Sequence, residues 1–294
     1  MAQRAGIVAI VGRPNVGKST LLNALIGAKV AIVTPKPQTT RTRVVGIRTM
    51  PGAQAVFVDT PGIHDARSTL NRRMVETARR ALEEADATLL VVDASAGVGA
   101  GDRALAAELA GARAPTIVVL NKMDRIPRAR LLPSMAEMGA LLPGREIVPT
   151  SATRGDNVDL LLDLVTRALP EGPPLHAEDD FTTEPARVLA QELVREQVFL
   201  ATRDEVPYRT TTLAERFEER PEKNLIVIAV TILVERPSHK AIVIGTRGER
   251  LREIGTRARE GLEALLGTRV FLELFVRVEP GWTENPRRLS ELGL

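Results

Sequence analysis

The apolar run Ile7-Val8-Ala9-Ile10-Val11 leads directly into Gly12-Arg13-Pro14-Asn15-Val16-Gly17-Lys18-Ser19-Thr20. A strand that ends in G-x-x-x-x-G-K-[ST] and opens a helix is a phosphate-binding turn. Its glycines let backbone N–H groups point inward around a β-phosphate, and the helix N-terminus adds favourable potential for an anion. Lys18 is expected to reach the β- and γ-phosphates, and the Ser19 hydroxyl to ligate Mg²⁺. This turn sets the fold class as α/β, so the flanking sequence should supply parallel strands and covering helices.

The surroundings read that way. Residues 43–48 and 55–59 are paired strands around a Pro51-Gly52 turn, and 88–93 and 116–121 are continuous β-branched runs suited to strands buried on both faces. Residues 147–150 form a last strand. Helical spacing covers 19–26, 70–84, 104–110, 131–142 and 158–169. Three further motifs fall at strand ends. In Asp59-Thr60-Pro61-Gly62, the aspartate can hold Mg²⁺ through water and the Gly62 N–H can sense a γ-phosphate. In Asn121-Lys122-Met123-Asp124, Asp124 can accept two hydrogen bonds from guanine N1–H and its 2-amino group, a donor pair adenine lacks. There the Lys122 stem can lie over the base while Asn121 ties loops together. Thr150-Ser151-Ala152 would bring a backbone N–H to guanine O6. Between Ser19 and Asp59, Thr39 and Thr40 are both candidates for a Mg²⁺ ligand released on hydrolysis.

These four motifs, in this order, resemble the Ras-like GTPase superfamily over about residues 5–170. The resemblance implies catalysis resting on Lys18, Thr40 and Gly62. It favours Thr40 over Thr39 for the metal and makes Asn15 similar to the asparagine that ligates K⁺ in potassium-dependent relatives. Ile63 stands where many such enzymes carry a water-orienting glutamine, so slow intrinsic hydrolysis is expected. His64 reads as a solvent-facing residue of the same loop.

Pro170-Glu-Gly-Pro-Pro174 and the acidic residues after it interrupt the pattern, and 171–185 reads as a linker. Beyond it the order is α-β-β-α-α-β over 186–280, followed by a tail at 281–294. Helix, glycine turn and helix cover 241–266, with Ile244-Gly245-Thr246-Arg247-Gly248-Glu249-Arg250-Leu251 at their junction. In a KH domain, here type II by element order, a G-x-x-G loop clamps the backbone of single-stranded nucleic acid.

The chain holds 40 basic and 37 acidic residues, net +3. Residues 1–174 carry 22 basic and 16 acidic residues, or +6, and residues 175–294 carry 18 and 21, or −3. Within that negative half, residues 236–259 hold seven basic side chains, Lys240, Arg247 and Arg250 among them, against Glu249 and Glu253. A local basic patch of this kind predicts phosphate contacts that weaken as salt rises. One Trp and one Tyr suggest no aromatic stacking platform. The absence of cysteine excludes disulfides and thiolate chemistry, and no apolar run reaches membrane-spanning length.

A nucleotide-binding unit joined to a KH unit is similar to the Era family of bacterial GTPases, and the ending Val278-Glu-Pro-Gly-Trp282 agrees. The resemblance implies a cytoplasmic monomer that uses GTP, GDP and Mg²⁺. It implies binding near the 3′ end of 16S ribosomal RNA during small-subunit (30S) assembly, with peripheral contact at the inner membrane. The other reading is a GTPase signalling switch whose C-terminal domain docks a protein.

Overall fold

A computed structural model describes residues 3–62 and 68–294. The chain divides into two compact units: the first takes in most of residues 1–183, and the second is Glu184–Leu294 together with Ile32–Thr39 and Ser68–Leu70.

The elements of the first unit run β1 (Arg4–Val11), α1 (Lys18–Ile26), β2 (Val44–Met50), β3 (Ala53–Asp59), α2 (Thr69–Glu83, assigned to this unit from Asn71 on), β4 (Ala87–Asp93), α3 (Ala100–Ala110), β5 (Thr116–Asn121), α4 (Leu131–Leu141), β6 (Ile147–Pro149) and α5 (Val158–Ala168). The sheet order is β2-β3-β1-β4-β5-β6. Only β2 runs antiparallel, because Pro51-Gly52 returns the chain as a hairpin, with Gly52 at φ +77°. Alternate residues of each central strand feed opposite cores. Val8, Ile10, Phe57, Leu89, Val91 and Val119 pack with Leu21, Leu22 and Leu25 of α1 and Leu161 and Val165 of α5. Ala9, Val11, Leu90, Val92, Val118 and Leu120 pack with Leu105 and Leu109 of α3 and Met138 of α4. Burial on both faces explains why these strands read as unbroken apolar runs.

The expected linker does not hang free. Ala5 N–H donates to the Pro170 carbonyl (3.1 Å), Gly172 N–H to the Gln3 carbonyl (2.9 Å), and the N–H groups of Leu175 and His176 to Gln54 Oε1. Ile47 N–H donates to the Phe181 carbonyl at 2.9 Å, and the Thr182 hydroxyl to the Val45 carbonyl. Proline and glycine prevent a helix here without preventing the backbone from pairing along the sheet, so this unit extends to Thr183.

The second unit contains α6 (Ala186–Ala201), β7 (Thr210–Arg220), β8 (Leu225–Val234), α7 (Pro237–Ile244), α8 (Glu249–Leu266), β9 (Arg269–Val278) and α9 (Pro286–Glu291). Its sheet order is β7-β8-β9, with β8 antiparallel to β7 and parallel to β9. Leu193 and Val198 of α6 and Ile254, Ala258 and Leu262 of α8 bury against Ile228, Val230 and Ile232 of β8. Residues 281–294 are a correction to the expected tail. Trp282 and Leu289 are buried there, and Asn285 caps α9 by accepting from the Arg288 N–H at 3.2 Å. Two buried apolar side chains, the cap between them and an Arg288–Glu279 ion pair dock this short segment.

Ile32–Thr39 is held in the second unit by α6. Glu196 accepts from the Val33 N–H at 2.8 Å, Arg195 donates to the Thr39 carbonyl at 2.7 Å, and the Lys36 ammonium donates to the carbonyls of Phe199 and Thr202.

Candidate nucleotide site and nucleic-acid loop

In the first unit the chain leaves β1 at Gly12, whose φ of +152° places its α-carbon so close to the Val91 carbonyl that a Cβ would lie 2.3 Å from that oxygen. Gly17 (φ +98°) is as crowded, with a Cβ falling 2.3 Å from Asn121 Nδ2. Both positions require glycine. The Lys18 ammonium, buried beneath the loop, donates to the carbonyls of Gly12 (3.1 Å) and Arg13 (3.0 Å). Burial lowers its pKa to about 8, partly opposed by the nearby Asp59 carboxylate. Val16 is buried in the core, so its contribution to a bound nucleotide is confined to its backbone. Thr20 follows Ser19 in the first turn of α1.

The three residues expected at the metal converge. The Ser19 hydroxyl donates to Asp59 Oδ2 at 2.6 Å and lies 2.9 Å from Thr40 Oγ1, which is 3.3 Å from the same carboxylate oxygen. Burial raises the Asp59 pKa, with Lys18, Ser19 and Thr40 acting in the opposite direction. Asp59 Oδ1 is buried with no hydrogen-bond partner. An orphaned buried carboxylate oxygen beside two hydroxyls is a donor set suited to a hard cation. Mg²⁺ therefore fits Ser19, Thr40 and Asp59. Thr39 is engaged elsewhere, since its hydroxyl lies 2.6 Å from Thr34 Oγ1 and donates to the Lys36 carbonyl.

The remaining part of this motif is structural at Thr60, whose buried hydroxyl donates to the Ile10 carbonyl at 2.9 Å. Pro61 and Gly62 are buried. A Cβ on Gly62 would fall 2.7 Å from the Pro14 nitrogen, so the glycine permits contact with the phosphate loop. Ile63 and His64 lie outside the described residues.

Asn121 bonds to two loops. Its Nδ2 donates to the Val16 carbonyl at 2.9 Å, and its Oδ1 accepts from the Ala152 N–H at 3.1 Å. Lys122 donates to the Asn15 carbonyl and to Asp93 Oδ2. Asp124 Oδ1 accepts from the Ser151 hydroxyl at 2.7 Å, which fixes the carboxylate expected to read a guanine edge. Asp93 and Asp102 are carboxylates paired with these loops that the motifs do not announce. The first pairs with Lys122, the second with Arg13, whose Nη2 lies 2.7 Å from Asp102 Oδ2.

In the second unit, Gly245 (φ +72°), Arg247 (φ +52°) and Gly248 (φ +78°) turn the chain between α7 and α8. A Cβ on Gly245 would approach the Arg250 nitrogen to 3.1 Å and its Cβ to 2.8 Å. Thr246 and Arg247 are exposed at the tip, Ile244 and Lys240 are partly exposed on α7, and Arg250 donates back to the Ile242 carbonyl. Gly248 and Leu251 begin a groove of about 400 Å³ continued by Arg252, Gly255, Arg259 and Leu274. This is an open groove with leucine and guanidinium side chains along it, at the N-terminus of an 18-residue helix. Beyond the sequence reading, Phe271 and Phe275 are exposed on β9, so aromatic surface is present although the chain has only one Trp and one Tyr.

A phosphate loop with metal-directed and base-directed motifs, followed by a G-x-x-G loop in an α-β-β-α-α-β unit, defines a P-loop GTPase joined to a KH domain. Comparison with known families agrees. The family described as 50S ribosome-binding GTPase matches residues 7–122, and the KH domain family matches 205–283. GTPase Era of Geobacter metallireducens is 51% identical over 290 residues, covering 99% of this chain and 97% of its own. GTPase Era of Heliobacterium modesticaldum is 44% identical with the same coverage. Among solved structures, a variant of Aquifex aeolicus Era bound to GDP and aluminium fluoride aligns with TM-score 0.94 at 44% identity over 99% of both chains. Era in complex with MgGDPNP and nucleotides 1506–1542 of 16S ribosomal RNA aligns with TM-score 0.93 at 44% identity over 99% of both chains. The chain belongs to the Era family of GTPases.

Proposed function

We propose that this chain is a guanine-nucleotide-controlled RNA-binding protein of small-subunit ribosome assembly. Its KH unit takes the single-stranded 3′ region of 16S ribosomal RNA. The observation that carries this reading is the full-length similarity to an Era that was solved with MgGDPNP and nucleotides 1506–1542 of that RNA. The loop at Gly245 and Gly248 and the adjoining groove would supply the chemistry it needs, with close backbone approach, Arg252 and Arg259 for phosphates and leucine side chains for bases.

In the nucleotide unit, Gly12 to Thr20 would cradle the phosphates and Asp124 would accept from the guanine edge. Ser19 and Thr40 would hold Mg²⁺, with Asp59 reaching it directly or through water. Such an ion would neutralise charge developing on the transferred phosphoryl group. Lys18 contributes a fixed ammonium to the same end. Ile63 has no group that can orient water, so turnover is expected to be slow. Asn15, at φ +64° on the loop, is the candidate for a K⁺ site, and faster turnover in K⁺ than in Na⁺ would support it. Peripheral association of a cytoplasmic protein with the inner membrane belongs to the same reading. Among the described residues no helix is long and apolar enough to cross a membrane.

The test is the affinity for single-stranded 3′-end fragments of 16S ribosomal RNA, with GDP and with a non-hydrolysable GTP analogue, at two salt concentrations. Tighter, salt-sensitive binding with the analogue is expected. Absence of RNA binding in both states would transfer the second unit to protein docking.

A further inference from the structure

Arg13 occupies the second position of the phosphate loop, yet its guanidinium does not face the phosphate cradle. It turns toward the first turn of α3, where Nη2 meets Asp102 Oδ2 at 2.7 Å. Asp102 is fully buried, and the same Oδ2 accepts the Gly99 N–H at 2.8 Å. One carboxylate oxygen thus caps α3 and anchors the loop. The approach path is built for this arginine. A Cβ on Gly99 would lie 3.1 Å from Arg13 Cζ, and a Cβ on Gly101 would lie 2.8 Å from Arg13 Cδ. On the other side of the residue, the Arg13 carbonyl accepts from the Lys18 ammonium at 3.0 Å. The side chain of Arg13 is therefore fixed by α3 while its carbonyl fixes the phosphate-binding lysine.

We propose that Asp102 is a positioning residue of the nucleotide site. Through Arg13 it sets the peptide that holds Lys18, although it lies outside every nucleotide motif. Leu105, Ala106 and Leu109 bind α3 into the core on one face of the sheet, so the carboxylate is presented from an anchored helix. A buried carboxylate also requires its cationic partner, so the pair acts as one unit and loss of either member releases the loop. The inference rests on the reading that this loop takes the phosphates of GTP and GDP.

The experiment compares full-length wild type with Asp102→Asn, Arg13→Gln and the double variant. Asparagine keeps the shape and the capping oxygen while removing the charge. Each single substitution is expected to raise the KM for GTP and the Kd for GDP on the order of tenfold, with a smaller change in kcat. The double variant is expected to be no weaker than the worse single variant, and Arg13→Lys to recover part of the affinity. Assays run well below each variant's melting temperature separate this from a general loss of fold. An unchanged KM in Asp102→Asn would overturn the proposal, as would losses that multiply in the double variant. A wild type that bound no guanine nucleotide would overturn the underlying reading itself, and that outcome is visible before any variant is made.

Discussion

The Lys122 ammonium lies 2.6 Å from Asp93 Oδ2 and also donates to the carbonyl of Asn15. Asp93 ends β4 directly beside Asn121, the last residue of β5, so the pair closes the mouth between two neighbouring parallel strands. The ammonium also reaches the phosphate loop from the base-reading loop. One lysine thereby couples the two halves of the nucleotide site. Burial alone would raise the Asp93 pKa, but Lys122 and Ser95 outweigh it and hold the carboxyl below its usual range.

Asp93→Asn should lower stability by about 1 kcal/mol at neutral pH. A depressed carboxylate pKa contributes stability that is complete above the unfolded value, near 4, and is lost as pH falls through the folded value. The difference between variant and wild type should therefore shrink in acid. Urea midpoints measured from pH 7 down to pH 3 test this, and two parallel curves would show that the charge of Asp93 contributes nothing.

Asp124→Asn should cost roughly 10⁴-fold in guanine-nucleotide affinity, because a carboxylate that accepts two donors becomes an amide that repels one of them. Xanthine nucleotides, which present a carbonyl at the 2-position, should gain affinity in the variant. Competition binding with GDP and XDP measures both changes, and equal losses for the two bases would refute direct reading by Asp124.

The α/β fold is legible in the sequence because its central strands are buried on both faces and so appear as uninterrupted β-branched runs. The phosphate loop is legible because Gly12 and Gly17 satisfy a local backbone requirement that leaves a fixed spacing. Asp93 and Asp102 are not legible. Asp102 meets a partner 89 residues earlier in the chain, and a lone aspartate near a helix start looks the same whether it merely caps or also anchors. Thr60 shows the reverse case, where a motif position spends its hydroxyl on the Ile10 carbonyl. The apolar run from Ala241 suggests a late start for α7, whereas Pro237 after an extended Arg236 marks the true first turn. The helix Pro286–Glu291 escapes notice because six residues carry too little periodicity to stand out.

Trp282→Ala should destabilise the second unit by about 3–5 kcal/mol, the usual cost of emptying a large buried aromatic site. The indole is buried and its Nε1 donates to the Arg209 carbonyl, while the adjacent Thr283 hydroxyl donates to Glu235. Denaturant unfolding followed by circular dichroism measures the loss. A change within about 0.5 kcal/mol, that of an ordinary surface substitution, would mean that 281–294 contributes little to this unit.

Gly248→Asp should abolish binding of the RNA fragment while GTP hydrolysis in the absence of RNA stays within about twofold. Gly248 sits at φ +78° at the start of α8, where a carboxylate would replace favourable potential with repulsion for phosphate. Fluorescence anisotropy with the labelled fragment, alongside phosphate release, tests both halves. Retained RNA affinity would remove the loop from the binding surface.

The pairing of residues 170–182 back onto Gln3, Ala5, Val45, Ile47 and Gln54 has a consequence during synthesis. The chain is made from its N-terminus, so β1 and the outer hairpin exist long before the segment that fastens them. The nucleotide unit can latch only after that clasp has cleared the exit tunnel, by which time α6 is already being made. A nascent chain arrested at residue 170 should then be cut by protease in the β2–β3 hairpin, and one long enough to expose residue 183 should resist.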